Sequence, residues 1–191
     1  MAGRRARLTG ILLLGAVTCG CHPTQHPAPT TKSTTTVPRT TSQPAAPAVN
    51  IQPLPVRQVQ RSQPTMPNKC PAANPAGPVA PGNVLVTCDV ARTTVYTLGP
   101  ETMQLALTHV DPPRSLTSGF YEVNLTMDPS SASAWAAFTA QHLHAHVAFV
   151  RDDLVLEAPI IQEQVTSGRI ALTTQTPQAA DRLAQLAGRP A

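Results

Sequence analysis

The sequence predicts an α+β domain: an antiparallel sheet with two amphipathic helices packed on one face, preceded by a disordered Pro/Thr-rich tether. Three observations carry this. Prolines and charges are segregated along the chain. Apolar and polar residues alternate in the second half, the pattern of half-buried strands. Two steps, Asp128-Pro129 and Thr176-Pro177, each open a run of apolar residues at helical spacing.

The chain has 191 residues, 21 of them proline, with a formal net charge of +4 and 3% aromatics. Its mean hydropathy is −0.08. Proline lacks a backbone donor and breaks helices and central strands, so this many exclude one continuous globule. Residues 1–88 hold eight Lys/Arg and no acid, whereas residues 89–191 hold six Lys/Arg and ten Asp/Glu. Fourteen of the prolines fall between His22 and Gly82. The pI of about 9.2 therefore does not point to nucleic acid. The positive charges are scattered among Pro and Thr, and the half that folds is acidic.

Residues 1–20 form an export signal. Arg4, Arg5 and Arg7 precede the apolar stretch Leu8–Val17, and small residues and Cys21 follow. The stretch is too short to cross a bilayer, which takes about 20 apolar residues. Thr18-Cys19-Gly20-Cys21 resembles the bacterial lipobox, with Gly20 the small residue before a lipidated Cys21. Thr18 departs from the usual Leu, Cys19 is the rival acceptor, and a secreted protein cleaved elsewhere is the alternative. Acyl chains such as palmitate, at about 0.8 kcal/mol per buried methylene, hold a chain at a membrane surface without spanning it. The expected location is the outer face of the plasma membrane.

Four cysteines are present, at 19, 21, 70 and 88. Cleavage removes Cys19 and lipidation consumes Cys21. Cys70 and Cys88 then remain outside the cytoplasm and are expected to form a disulfide. Their wide spacing lacks the close pairing of zinc sites.

Residues 21–82 read as the tether. Its Pro, Thr, Ala, Gln and Ser cannot bury enough apolar surface to offset chain entropy. The prolines favour an extended polyproline II form, and Thr beside Pro suits O-glycosylation. Ile51, Leu54, Val56 and Val59 are expected to dock on the domain, which spans residues 83–191.

Within that domain, Thr94–Leu98 reads as a strand stopped by Gly99-Pro100. Residues 101–118 are ambiguous, with Asp111-Pro112-Pro113 irregular. In the next strand Tyr121, Val123, Leu125 and Met127 share one face. Asp128-Pro129 starts a helix whose buried stripe is Ala132, Trp135, Ala136, Phe138, Thr139, His142 and Leu143. His146–Arg151 and Leu154–Ile161 form a hairpin around Asp152-Asp153. Arg169–Thr174 is a further strand. Thr176-Pro177 opens the last helix, with Ala180, Leu183, Ala184 and Ala187 inward and Gly188 at its end.

These residues resemble a known family. Cys88-Asp89 with Tyr96-Thr97-Leu98-Gly99-Pro100 is similar to the opening of the periplasmic P1 head subdomain of SecD, particularly in actinobacterial forms. Val123-x-Leu125 and Trp135…Phe138-Thr139 look like its central strand and helix. Ala148-Phe149-Val150-Arg151-Asp152, Val155 to Ile161 with its Ala158-Pro159-x-Ile161 ending, and Ser167-Gly168 resemble its most recognisable stretch. Ala180-x-x-Leu183-Ala184 matches its closing helix. The family has Gly near His144 and at the hairpin position of Asp153, and tends to show Gly and an aromatic near Thr173 and Gln175. The resemblance implies contact with unfolded or exported polypeptide, or with Sec translocon components, and assigns a binding hairpin to Ala158, Pro159 and Ile161. The chain shows no span to carry a transmembrane acidic relay, so the resemblance does not extend to proton-driven movement.

Candidate chemistry is sparse. His142, His144 and His146 would share a face in a strand and chelate a metal, but they straddle a helix end, where a cationic imidazole suits the dipole. Asp152-Asp153 reads as a solvated turn rather than a carboxylate dyad. Ser130, Ser131 and Ser133 lack a Gly-x-Ser-x-Gly elbow. Asn124-x-Thr126 fits the N-glycan pattern but lies in a strand. No phosphate loop or dinucleotide fingerprint occurs. The expectation is a non-enzymatic, lipid-anchored envelope protein without cofactor or metal, which binds polypeptide as an accessory to export. The alternative reuses the fold for a lipid, a wall polymer or another protein.

Overall fold

The computed structural model describes residues 50–72 and 77–190. The export signal, Cys21 and the Thr-rich run lie outside them. The elements are β1 (Leu54–Pro64), a 3₁₀ turn (Pro67–Lys69), β2 (Leu85–Cys88), β3 (Thr94–Leu105), β4 (Leu107–Val110), β5 (Arg114–Ser115), β6 (Tyr121–Met127), α1 (Pro129–Gln141), β7 (Val147–Arg151), β8 (Leu154–Glu157), β9 (Arg169–Thr174) and α2 (Pro177–Ala187). The fold is α+β and antiparallel, but it has two sheets where the sequence suggests one.

The first sheet runs β2-β3-β1-β7-β8, each neighbour pair antiparallel. Four antiparallel steps leave β8 parallel to β2. The sheet rolls until these edges meet: Asp89 bridges Val155 in the parallel sense, and the Val90 N–H donates to the Val155 carbonyl at 3.0 Å. The Thr87 hydroxyl also donates to the Asp153 carbonyl. Inside this ring sit Leu85, Leu98, Ala148, Val150 and Val155. The second sheet places β6 between β9 on one side and β4 and β5 on the other. Asp111-Pro112-Pro113 separates β4 from β5, as its prolines require.

One main core joins the sheets. Val123, Leu125 and Met127 of β6 meet Trp135 of α1 and Ala180, Leu183, Ala184 and Ala187 of α2. Leu54, Val56, Val147 and Phe149 on the outside of the ring complete it. All five residues of β7 are buried, because one face looks into the ring and the other into this core.

The domain starts earlier than residue 83. Leu54 and Val56 are 0% exposed, and β1 pairs with both β3 and β7. The stretch looks like tether because polar residues, Gln58 and Gln60 to Gln63, crowd one end and prolines lie among the apolar ones. Pro55 and Pro64 pair only with β3, since β7 reaches only Val56, Arg57 and Gln58. A strand with one neighbour can spare a donor there.

Gly99-Pro100 does not stop β3 either. The register with β1 shifts between Arg57 and Val59, opposite Glu101 and Leu98, so the glycine and proline are absorbed in a bulge. The buried Arg57 guanidinium fills it, donating to the carbonyls of Gly99 at 3.0 Å and Asn83 at 2.7 Å. Arg151, also buried, donates to the carbonyls of Gln52 at 2.8 Å, Pro53 at 3.1 Å and Leu186 at 3.1 Å. Burial holds its pKa below the usual arginine value, and Asp152 opposes this. Backbone carbonyls thus replace water around both cations.

Cys70 and Cys88 are joined, with Cα atoms 5.8 Å apart, and fasten the turn after β1 to the end of β2. α1 begins at Asp128, whose carboxylate accepts from the Ser131 N–H at 2.6 Å. Its buried face is narrower and more polar than the expected stripe: Ser131, Trp135 and Thr139 are buried, while Leu143 lies past the helix end and is 49% exposed. The hydroxyls are connectors. Ser131 accepts from the Ala106 N–H at 2.9 Å. Thr139 donates to the Trp135 carbonyl at 2.9 Å and accepts from the Val165 N–H at 3.0 Å. α2 has the expected cap, inward face and Gly188 in the left-handed region at φ 112°.

A chain beginning at residue 83 lacks β1 and should give no cooperative urea transition by circular dichroism. One beginning at Asn50 should unfold cooperatively. Cooperative unfolding of the shorter chain would refute the central role of β1.

Candidate binding cleft

The β7–β8 turn is built from two residues in the left-handed region, Asp152 at φ 50° and Asp153 at φ 57°. This costs roughly 1–2 kcal/mol for a residue with a β-carbon. Asp153 recovers part of that cost, because both its carboxylate oxygens accept from the Val79 N–H, at 3.0 and 3.1 Å. The turn is therefore docked rather than solvated, although Asp152 is exposed.

β8 ends at Glu157, short of the expected Ile161. The chain then runs beside residues 144–147. The Val147 N–H donates to the Pro159 carbonyl at 3.0 Å, the Ile161 N–H to Ala145 at 3.0 Å, and the His144 N–H to Ile161 at 2.8 Å. Ile161 is 5% exposed and belongs to the core, while Ile160 is 49% exposed. Of the residues assigned to a binding hairpin, Ala158 lines a cleft, Pro159 is half-buried and Ile161 holds the fold together.

The cleft, of about 510 Å³, lies between β8, β9, α2 and the segment around Asp89. Val90, Ala158 and Leu183 supply apolar lining; Tyr96, Glu157 and Arg182 are the principal polar groups. Glu157 accepts from the Thr173 N–H and from the Thr173 hydroxyl, both at 3.0 Å. β9 pairs with β6 on one edge, so this carboxylate occupies part of its other edge, where a further strand would bond. Burial pushes the Glu157 carboxyl above the usual carboxylate range, opposed by the bonds from Thr173. Burial and then the charge of Asp89 push the Tyr96 hydroxyl up; Thr94 opposes this and Glu157 adds to it. Asp89 is fixed by the Thr93 N–H at 2.7 Å, the Thr93 hydroxyl at 2.9 Å and the Thr94 N–H at 3.2 Å.

The histidines diverge. His142 stacks on Phe138 with ring centroids 4.1 Å apart. His144 sits in the left-handed region at φ 66°. His146 Nε2 lies 2.9 Å from the Ala158 carbonyl oxygen. Ser130 hydrogen-bonds the Asp128 carboxylate at 3.0 Å and Ser131 the β-strand connection, so both serve the helix start. Asn124 donates to Glu122 at 2.6 Å within β6. Arg114, at 2.6 Å, and then Asn124 hold the Glu122 carboxyl low.

Tyr96, Glu157, Thr173 and Arg182 were not singled out together by sequence reasoning. They come from β3, β8, β9 and α2, and no local spacing signals their meeting. The one available hint was Glu157, an acid closing an otherwise apolar strand.

With this geometry in view, comparison with known proteins gives a consistent result. Residues 101–188 match the family described as SecDF, P1 head subdomain. Protein translocase subunit SecD of Mycobacterium tuberculosis, in strains H37Rv and CDC 1551, is 33% identical over 108 residues, which is 53% of this chain and 18% of that protein. SecD of Rhodothermus marinus is 35% identical over 52 residues, 27% of this chain and 8% of that protein. Two solved structures are also similar. One, described as a membrane component SecDF that enhances protein export, has TM-score 0.48 and 19% identity, covering 73% of this chain and 63% of that one. The other, SecDF in a super-membrane-facing form, has TM-score 0.47 and 20% identity, covering 73% and 19%. Residues 101–188 resemble the SecD P1 head, and the chain spans about 18% of the length of the mycobacterial SecD. Among the described residues no helix is long and apolar enough to cross a membrane.

Two residues with left-handed backbone angles, His144 and Asp153, give opposite expectations. His144→Gly relieves a left-handed backbone at no cost in carboxylate bonding and should raise stability by roughly 1 kcal/mol. Asp153→Gly relieves the same strain but frees the Val79 N–H, so urea midpoints should show no comparable gain. Glu157 gives a pH signature. Its folded pKa is raised, so its contribution is complete below the unfolded carboxyl pKa and lost as pH rises through the folded one. The stability of the wild type relative to Glu157→Gln should therefore fall as pH rises through that window; a flat difference would refute it.

Proposed function

We propose that this is a non-enzymatic, lipid-anchored envelope protein at the outer face of the plasma membrane, whose head-like domain binds extended polypeptide as an accessory to export. The observation that carries the reading is the cleft, whose boundary includes the second edge of β9 beside apolar lining. Strand addition uses such a surface: main-chain bonds supply affinity and side-chain pockets supply selectivity. The family match supports an export-related role. Cys21, outside the described residues, is the anchor in this reading. A lipid ligand is less favoured, because Glu157, Asp89 and Arg182 all face the cleft, and an acyl chain would gain nothing from them.

Calorimetric titration of the full mature chain with unfolded client polypeptides should show saturable binding, lost in Ala158→Arg, which fills the cleft. In cells, a clickable palmitate analogue should label the wild type but not Cys21→Ala. Failure to bind any of several clients would overturn the binding reading, and equal labelling of both chains would overturn the anchor.

A further inference from the structure

The cleft is chemically one-sided, which bears on what enters it. Two carboxylates, Asp89 and Glu157, lie on one side, next to Tyr96. Each is locked in place by hydrogen bonds from threonine backbone and side-chain groups. A carboxylate offers about four acceptor positions, so Glu157, which uses two, keeps further capacity. No lysine or arginine of the described residues forms an ion pair with either acid. The ion pairs present lie elsewhere, at His109–Asp111 and Arg114–Glu122. Arg182, the one cation on the cleft wall among the described residues, is exposed on α2. Burial, then Asp89 and, less, Glu157 push the Tyr96 hydroxyl pKa up.

The remaining lining fits the same ligand. Val90, Ala158 and Leu183 are aliphatic, and Tyr96 presents an aromatic ring. A long aliphatic stem ending in a cation suits such a site: the stem packs on apolar surface, and the head meets an aromatic and fixed anions. Asp89 is already oriented by its own turn, so only Glu157 has to exchange its bonds to Thr173 when a strand arrives.

We infer that the cleft selects extended polypeptides by a lysine or arginine side chain, seated against Tyr96 with its charge facing Glu157 and Asp89. This rests on the proposal that the cleft binds polypeptide and adds which polypeptides it prefers. Glu157 then has two duties. It occupies the β9 edge in the free protein, and it meets the cation when a client strand lies alongside.

The test uses the full mature chain and two dye-labelled unfolded peptides that differ only in a central Lys or Gln, followed by fluorescence anisotropy. At low salt the Lys peptide should bind roughly tenfold tighter, corresponding to about 1.4 kcal/mol. Glu157→Gln should reduce the preference to about twofold or less, and Asp89→Asn should reduce it independently. High salt should shrink it in the wild type. Circular dichroism and urea midpoints establish that each variant is folded; should either fail, Tyr96→Leu provides the third arm. Equal affinity for the two peptides would overturn the selection and leave the polypeptide reading standing. A Lys preference untouched by the folded variants would place the cation elsewhere and also overturn it. If neither peptide binds, both readings fall.

Discussion

β1 is hydrogen-bonded on both sides, to β3 and to β7, and its Leu54 and Val56 are completely buried. Without it, β2 and β3 would meet β7 and β8 only at the short seam of Thr87, Asp89 and Val90, and the ring could not close. Closure then fixes much else. Four antiparallel steps make the last pair parallel, and that pair is held by short contacts at Asp89, Val90 and Thr87 rather than by a long ladder. The disulfide at Cys88 anchors the strand end next to this seam. The cleft opens beside it, so its geometry inherits the way the ring is closed.

Charge is managed by local solvation more than by pairing. Arg57 and Arg151 are buried without carboxylate partners within bonding distance and are satisfied by carbonyl oxygens. These carbonyls belong to irregular segments that would otherwise leave acceptors unpaired: the bulge at Gly99, the chain before β1 and the end of α2. Each arginine therefore serves as a clamp on a backbone that cannot form ladders. On the cleft side the arrangement is reversed, with carboxylates oriented by threonine donors and left facing a concave surface. A clamp whose donors are filled is structural; an anion fixed in place with spare acceptors is available to a ligand.

The left-handed residues show the same economy of contacts. His144 and Asp153 take left-handed backbone angles, and each has a backbone or side-chain bond that explains its tolerance. The strain is thus placed at the two ends of β7, the strand buried on both faces. Its position is fixed by packing strongly enough to hold unfavourable backbone angles on either side.

The sequence by itself determined the pieces whose signals are local. Period-two alternation located β6 and β9, and Asp128-Pro129, Thr176-Pro177 and Gly188 located the helix ends, because caps and side-chain alternation depend only on near neighbours. Cysteine arithmetic paired Cys70 with Cys88, and the order of motifs pointed to the SecD head. Tertiary structure alone decided three things. It placed Leu54–Pro64 in the sheet, since a strand with prolines at its one-sided ends resembles tether until both neighbours are present. It carried β3 through Gly99-Pro100, since a bulge needs an arginine from another strand to fill it. It assembled Tyr96, Glu157, Thr173 and Arg182 into one cleft, because residues that meet only through a closed ring and a second sheet leave no periodic trace in a linear chain.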